Sequence, residues 1–113
     1  MLKKSCRISQ KKDFDKIYKA GRKIKGEFGM LIGLEKKDLS NCEFGIVIGK
    51  KIGKANTRNK FKRRLRYLMQ SLINEKFFEG KQFQITYIAF KNPEHFQALK
   101  DEVFLQFKTL LKE

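Results

Sequence analysis

The chain has 113 residues, enough for one core and too few for two, and 41% of them are apolar with eleven Phe and no Trp, which excludes wholesale disorder. Its formal net charge of +15, with a pI near 10.0, exceeds what solubility asks and costs stability by self-repulsion, so an anionic partner is implied. Nucleic acid is the first candidate and an anionic membrane surface the second; no apolar run approaches the roughly twenty residues of a membrane span.

The start of the chain, Met1-Leu2-Lys3-Lys4-Ser5, is basic, but Arg7, Gln10, Lys11, Lys12 and Asp13 follow where a signal peptide would place its apolar core. Export is not expected, and a cytoplasmic location is. Cys6 and Cys42 stand far apart with no CxxC spacing and no histidine cluster, so they are read as free reduced thiols, and no metal site is expected.

In chain order, Ile8-Ser9 before Gln10, Phe14, Ile17 and Tyr18 predicts a short capped helix over about 10–20, with Gly21 as its stop. Phe28 to Leu34 alternates as a strand, with Gly29 and Gly33 on one face. Glycines so placed signal close approach to the backbone, more often by a packed helix than by a ligand. After the polar turn Lys36–Asn41, Phe44, Ile46 and Ile48 alternate as a second strand, and a hairpin between the two strands is the economical pairing. Thr57 to about Phe77 carries Phe61, Leu65, Leu68, Met69, Leu72 and Ile73 at helical spacing. A third strand, Phe83–Phe90, follows Glu79-Gly80, and Asn92-Pro93-Glu94 is read as the opening of a last helix with the stripe Phe96, Leu99, Val103, Phe107 and Leu110. The sum is a single domain over residues 1–113, an α+β fold in which helices pack on a small mixed sheet as an α/β sandwich.

The functional signal lies between Glu43 and Glu75, where no acidic residue occurs. Nine of the chain's 27 cations (Lys50, Lys51, Lys54, Arg58, Lys60, Lys62, Arg63, Arg64 and Arg66) fall within 17 residues there. A merely solvated helix face mixes signs, because neighbouring turns of one sign repel. At about 100° per residue, Asn59, Lys60, Lys62, Arg63, Arg64, Arg66 and Tyr67 fall outside the Phe61/Leu65/Leu72 stripe, which separates a core face from an RNA face. Arg58 lies in line with the apolar stripe, and the sequence leaves open whether it fixes the preceding loop or reaches RNA. The segment from Gly49 to Thr57 joins glycines, lysines and a helix N-terminus, all of which suit phosphate oxygens. It is not a nucleotide P-loop, since the GxxxxGK[ST] order is missing.

The run Lys50-Lys51-Ile52-Gly53-Lys54-Ala55-Asn56-Thr57-Arg58-Asn59-Lys60-Phe61-Lys62-Arg63-Arg64-Leu65-Arg66 closely resembles the signature of the bacterial ribonuclease P protein subunit, KK.GKA..RN..KR..R ahead of a long helix. The resemblance extends to Arg7-Ile8, to Asp13-Phe14, Ile17-Tyr18 and Gly21, to Phe44-Gly45-Ile46-Val47, and to the element order of nearly the whole chain. The chain departs from the family's pattern at Tyr67, where an acidic residue is common, and at Gly49, where Ser often precedes the paired lysines.

The resemblance implies a ribosomal protein S5 domain 2-like fold with an unusual left-handed βαβ crossover, where the general rule favours the right-handed one. It implies an accessory role in removing the 5′ leader of precursor tRNA: a large RNA is the catalyst and uses magnesium ions, and the protein binds that RNA through the basic helix and the loop before it. The protein would have no catalytic residue, no metal and no cofactor of its own. The leader would lie in a cleft between the first helix and the sheet, lined by Phe14 and Tyr18, with Lys16 and Arg22 following its backbone. Phe14 is read first as a core anchor, and Tyr18, whose hydroxyl wants water or a partner, is the better leader contact. His95, the one histidine, is a surface or capping residue.

Two other readings stand beside this. A ribosomal or ribosome-assembly protein would need the same size, charge and phosphate-gripping helix, and only the motif separates the two. An autonomous nuclease would use acidic ligands such as Asp13 or Asp15, whose spacing is that of ordinary first-turn helix residues.

Overall fold

The structure, a computed structural model, describes residues 6–8, 10–39 and 42–112. Its elements are α1 (Lys11–Ala20), β1 (Arg22–Lys25), β2 (Gly29–Glu35), β3 (Glu43–Val47), a 3₁₀ turn (Lys50–Ile52), α2 (Ala55–Asn74), β4 (Phe83–Ala89) and α3 (Phe96–Leu111). One four-stranded sheet has the order β1-β2-β4-β3, with β4 antiparallel to β2 and parallel to β3. The architecture is α+β and of the S5 domain 2-like kind, with β3 and β4 as parallel neighbours joined through α2.

The expected hairpin between the second and third strands, β2 and β3, does not form. β4 is inserted between them, so that Thr86 faces Ile32 on one side and Gly45 on the other. The physical reason is burial: Gln84, Ile85, Thr86, Tyr87 and Ala89 are all buried, and a strand covered on both faces belongs at the centre, where both its edges are paired. β1 was not foreseen, because its sequence RKIK has one apolar residue; it pairs only with β2, as an edge strand rich in lysine.

The sheet is covered unequally. On one face α2 and α3 build the large core, in which Phe61, Leu65 and Met69 of α2 and Leu99, Val103 and Phe107 of α3 meet Leu31, Phe44, Ile85 and Tyr87. Each such fully buried side chain contributes about 1.5–3 kcal/mol. On the other face α1 alone supplies a small core, where Ile17 packs with Ile32 and Ile8. The glycines of β2 make room on the large-core side: a Cβ at Gly33 would meet Leu110 of α3 at 2.5 Å, and one at Gly29 would meet the Tyr87 ring at 2.3 Å. Packing, as expected, explains them.

Helix ends differ in detail from the sequence reading. Gly21 is the C-cap of α1, its amide donating to the Ile17 carbonyl at 2.7 Å; Ser9, the expected cap, lies outside the described residues, as do residues 1–5 and the turn residues Ser40 and Asn41. α2 starts at Ala55 and ends at Asn74. α3 begins at Phe96 with His95 at the N-cap position, so Asn92 does not cap it. Pro93 is instead buried ahead of the helix. Cys6 and Cys42 are buried and not joined in a disulfide, and burial pushes the Cys42 thiol up.

Candidate nucleic-acid interface

From Lys60 to Arg66, α2 separates core from charge. Phe61, Leu65, Leu68, Met69 and Leu72 are buried, whereas Asn59, Lys60, Arg63 and Tyr67 are exposed and Lys62, Arg64 and Arg66 half-buried. Asn56, Asn59, Lys62, Arg63 and Arg66 together line an open depression of about 470 Å³. Among the described residues none of the nine cations from Lys50 to Arg66 is ion-paired, while the exposed Lys91 and Glu27 pair at 3.2 Å elsewhere.

The loop before α2 is held by its own backbone and by Arg58. Lys50 and Lys51 are exposed on the 3₁₀ turn, and Gly53 then takes φ of +151°, a conformation an L side chain rarely adopts. Lys54 stands at the N-cap position of α2, with no side-chain cap and no acidic residue in the first turn, so the positive end of the helix dipole carries no internal counter-charge. The Arg58 Nε donates to the Gly53 carbonyl at 3.2 Å. Of the two roles left open for Arg58, the geometry supports fixing the loop.

The second feature is the cleft on the thinly covered face of the sheet. Phe14, Asp15 and Tyr18 of α1 and Ile32, Val47, Thr86 and Ile88 of the sheet line about 170 Å³ of open volume. Phe14 is half-buried, and Tyr18 is 52% exposed. Thr86 is only 3% exposed, and its Oγ1 has no hydrogen-bond partner. Lys16 is exposed on α1 and does not line the cleft. Arg22 is opposite Gly33 in the sheet register, which puts it on the α3 side, whereas Lys23, opposite Ile32, is on the α1 side with its Nζ 5.0 Å from the centroid of the Tyr18 ring. Lys23, Val47 and Thr86 were not singled out from the sequence. Period-two alternation from Ile32 through its register partners would have found them, had the strand order been known.

No helix among the described residues is long and apolar enough to cross a membrane. His95 is exposed at the start of α3. Asp13 is half-buried and Asp15 exposed, both on α1, and no group of three or more His, Cys, Asp or Glu side chains able to hold a metal ion occurs among the described residues.

The family model described as ribonuclease P matches residues 2–113. The chain belongs to the ribonuclease P protein family. It is 32% identical over 104 residues to the ribonuclease P protein component of a Pseudanabaena species, covering 91% of this chain and 89% of that one. It is also 32% identical over 116 residues to that of Streptococcus equi subsp. equi, covering 99% and 93%. Among solved structures, the Thermotoga maritima RNase P protein superposes with a TM-score of 0.76 at 26% identity, over 91% of this chain and 96% of that one. A Staphylococcus aureus RNase P protein mutant with defective mRNA degradation activity gives 0.69 at 29% identity, over 96% and 84%. The chain is thus a protein component of a tRNA-processing ribonucleoprotein with an RNA partner.

Proposed function

We propose that this protein is the RNA-binding accessory subunit of a cytoplasmic ribonuclease P, holding the catalytic RNA with α2 and the loop before it and the 5′ leader of precursor tRNA in the cleft beneath α1. The observation that carries the reading is the charge of α2 and of the loop before it: nine cations from Lys50 to Arg66, without an acidic partner among the described residues, of which Lys60, Lys62, Arg63, Arg64 and Arg66 are set apart from the core stripe. Such a face is repulsive until phosphates neutralise it, so binding RNA relieves a strain of charge that folding alone leaves. Lys50, Lys51 and Lys54 flank the α2 N-terminus, where phosphate oxygens meet backbone amides as well as ammonium groups.

In the cleft, Tyr18 offers an exposed ring to an unpaired base, and Lys23 beside it offers charge to the backbone. Phe14 forms the floor. We assign the bond cleavage to the RNA and the magnesium to the RNA as well. The protein's contribution is then to neutralise phosphates and to position the leader.

The deciding experiment is cleavage of a 5′-extended precursor tRNA at low magnesium by the purified protein, by the catalytic RNA of the same bacterium, and by both. Strong cleavage only in the mixture is expected. No gain in the mixture would return the chain to the ribosomal reading. Cleavage by the protein alone would give it an active site, an outcome worth including because the similar Staphylococcus aureus mutant is described by its defect in mRNA degradation.

A further inference from the structure

We infer that Tyr67 and Phe96 form a stacking platform for one unpaired base of the catalytic RNA, flanked by Lys60, Arg63 and Arg64. The inference rests on the function proposed above and specifies one site within it. Lys60, Arg63, Arg64 and Tyr67 stand at i, i+3, i+4 and i+7 of α2 and so form a single stripe along the helix. Phe96, the first residue of α3, meets this stripe: its ring centroid lies 6.2 Å from that of Tyr67 at an interplanar angle of 54°, and the Arg64 guanidinium carbon lies 5.5 Å from its centroid. The five side chains line an open depression of about 380 Å³ that shares only Arg63 with the one lined by Asn56, Asn59, Lys62 and Arg66.

The two rings have different parts. Arg64 covers the half-buried Phe96, which therefore serves as support. Tyr67 is 62% exposed, and its ring is the one left open to a ligand. An exposed ring contributes nothing to the core, and here it stands among cations with no carboxylate lining the depression. Glu94, near Phe96 in sequence, is exposed and is not among the lining residues. An unpaired nucleotide uses both components, its base on the Tyr67 face and its phosphate on Lys60 or Arg63. An acidic peptide would satisfy only the charges.

The test measures affinity for a transcript of the catalytic RNA across a salt series, using the full-length protein. Tyr67→Leu, which keeps an apolar side chain on an exposed helix position, is expected to weaken binding about tenfold with the salt slope unchanged, because a ring is lost and no phosphate contact is. Tyr67→Phe is expected to bind as the parent does. Tyr67→Trp gives the chain its only Trp, whose emission should be quenched as the RNA is added. Parent-like binding by Tyr67→Leu would overturn the platform and leave the proposed function standing, as would a weakened variant whose salt slope falls. Failure of the parent itself to bind the RNA would overturn both.

Discussion

The ring of Phe14 lies directly over Gly45, so close that a Cβ there would come within 2.4 Å of it. One glycine of β3 therefore sets the depth of the cleft. Gly45→Ala should push Phe14 outward, fill part of the cleft and cost about 1–3 kcal/mol by overpacking. Urea unfolding would read the stability loss, and leader-length dependence of precursor binding would read the altered cleft; unchanged values in both would show that α1 adjusts freely.

Tyr18, unlike Phe14, contributes little to the core, so its removal separates binding from folding. Tyr18→Ala should unfold at nearly the parental urea concentration while losing the affinity gained from a longer 5′ leader, by about 5- to 100-fold for one lost stacking contact. Parental affinity for leaders of every length would take Tyr18 out of the leader site.

For the α2 face the measurable quantity is the salt dependence. Arg63→Ala and Arg66→Ala should each lower the slope of log affinity against log salt by about 0.7 to 0.9 for every phosphate contact removed. Unchanged slopes in both variants would place the RNA on some other surface.

Arg58 should behave as a loop anchor. Arg58→Ala removes the donor to the Gly53 carbonyl, and amide exchange in residues 50–54 should quicken while β2 and β4 stay protected. Lys is not expected to rescue it, since an ammonium lacks the Nε donor in the guanidinium plane. Exchange confined to parental rates would assign Arg58 to RNA instead.

Tyr87 makes stability depend on alkali. Burial first, and the Glu102 carboxylate second, push its phenol well above the ordinary value of 10.0. The folded state thus holds a proton that the unfolded chain releases above about pH 10, so the contribution of Tyr87 is constant below that pH and falls as pH rises beyond it, by about 1.36 kcal/mol per pH unit. Tyr87→Phe should flatten that fall, measured as urea midpoints from pH 8 to 11, and it also deletes a buried hydroxyl that has no partner. An equal decline in parent and variant would assign the alkaline loss to other groups.

What the sequence disclosed, and what it hid, follows from the reach of each signal. Helical periodicity found α2 with its core and charged faces, because both are local to one segment. It read Phe96 simply as part of the α3 core stripe, whereas the residue lies half-buried at the rim against Tyr67; that pairing joins two distant segments. Strand alternation told which residues share a face and could not tell which strands are neighbours, so the β2–β3 hairpin was expected where β4 intervenes. The same gap hid Val47 and Thr86, which line the cleft, and Lys23, which stands beside Tyr18 at its edge, all three placed only through register with Ile32 and its partners. Arg58 was undecidable for a related reason, since the wheel gives a direction and not an acceptor.

The central place of β4 also bears on synthesis. β2 and β3 leave the ribosome well before the strand that joins them, so a growing chain carries the densely cationic α2 segment before the central strand of the sheet exists to support it. A product broken off before Phe83 would lack the framework that holds that charge in place. The cationic face of α2 therefore takes its final place only after β4 is made, since Ile85 and Tyr87 of that strand share a core with Phe61 and Leu65 of the helix.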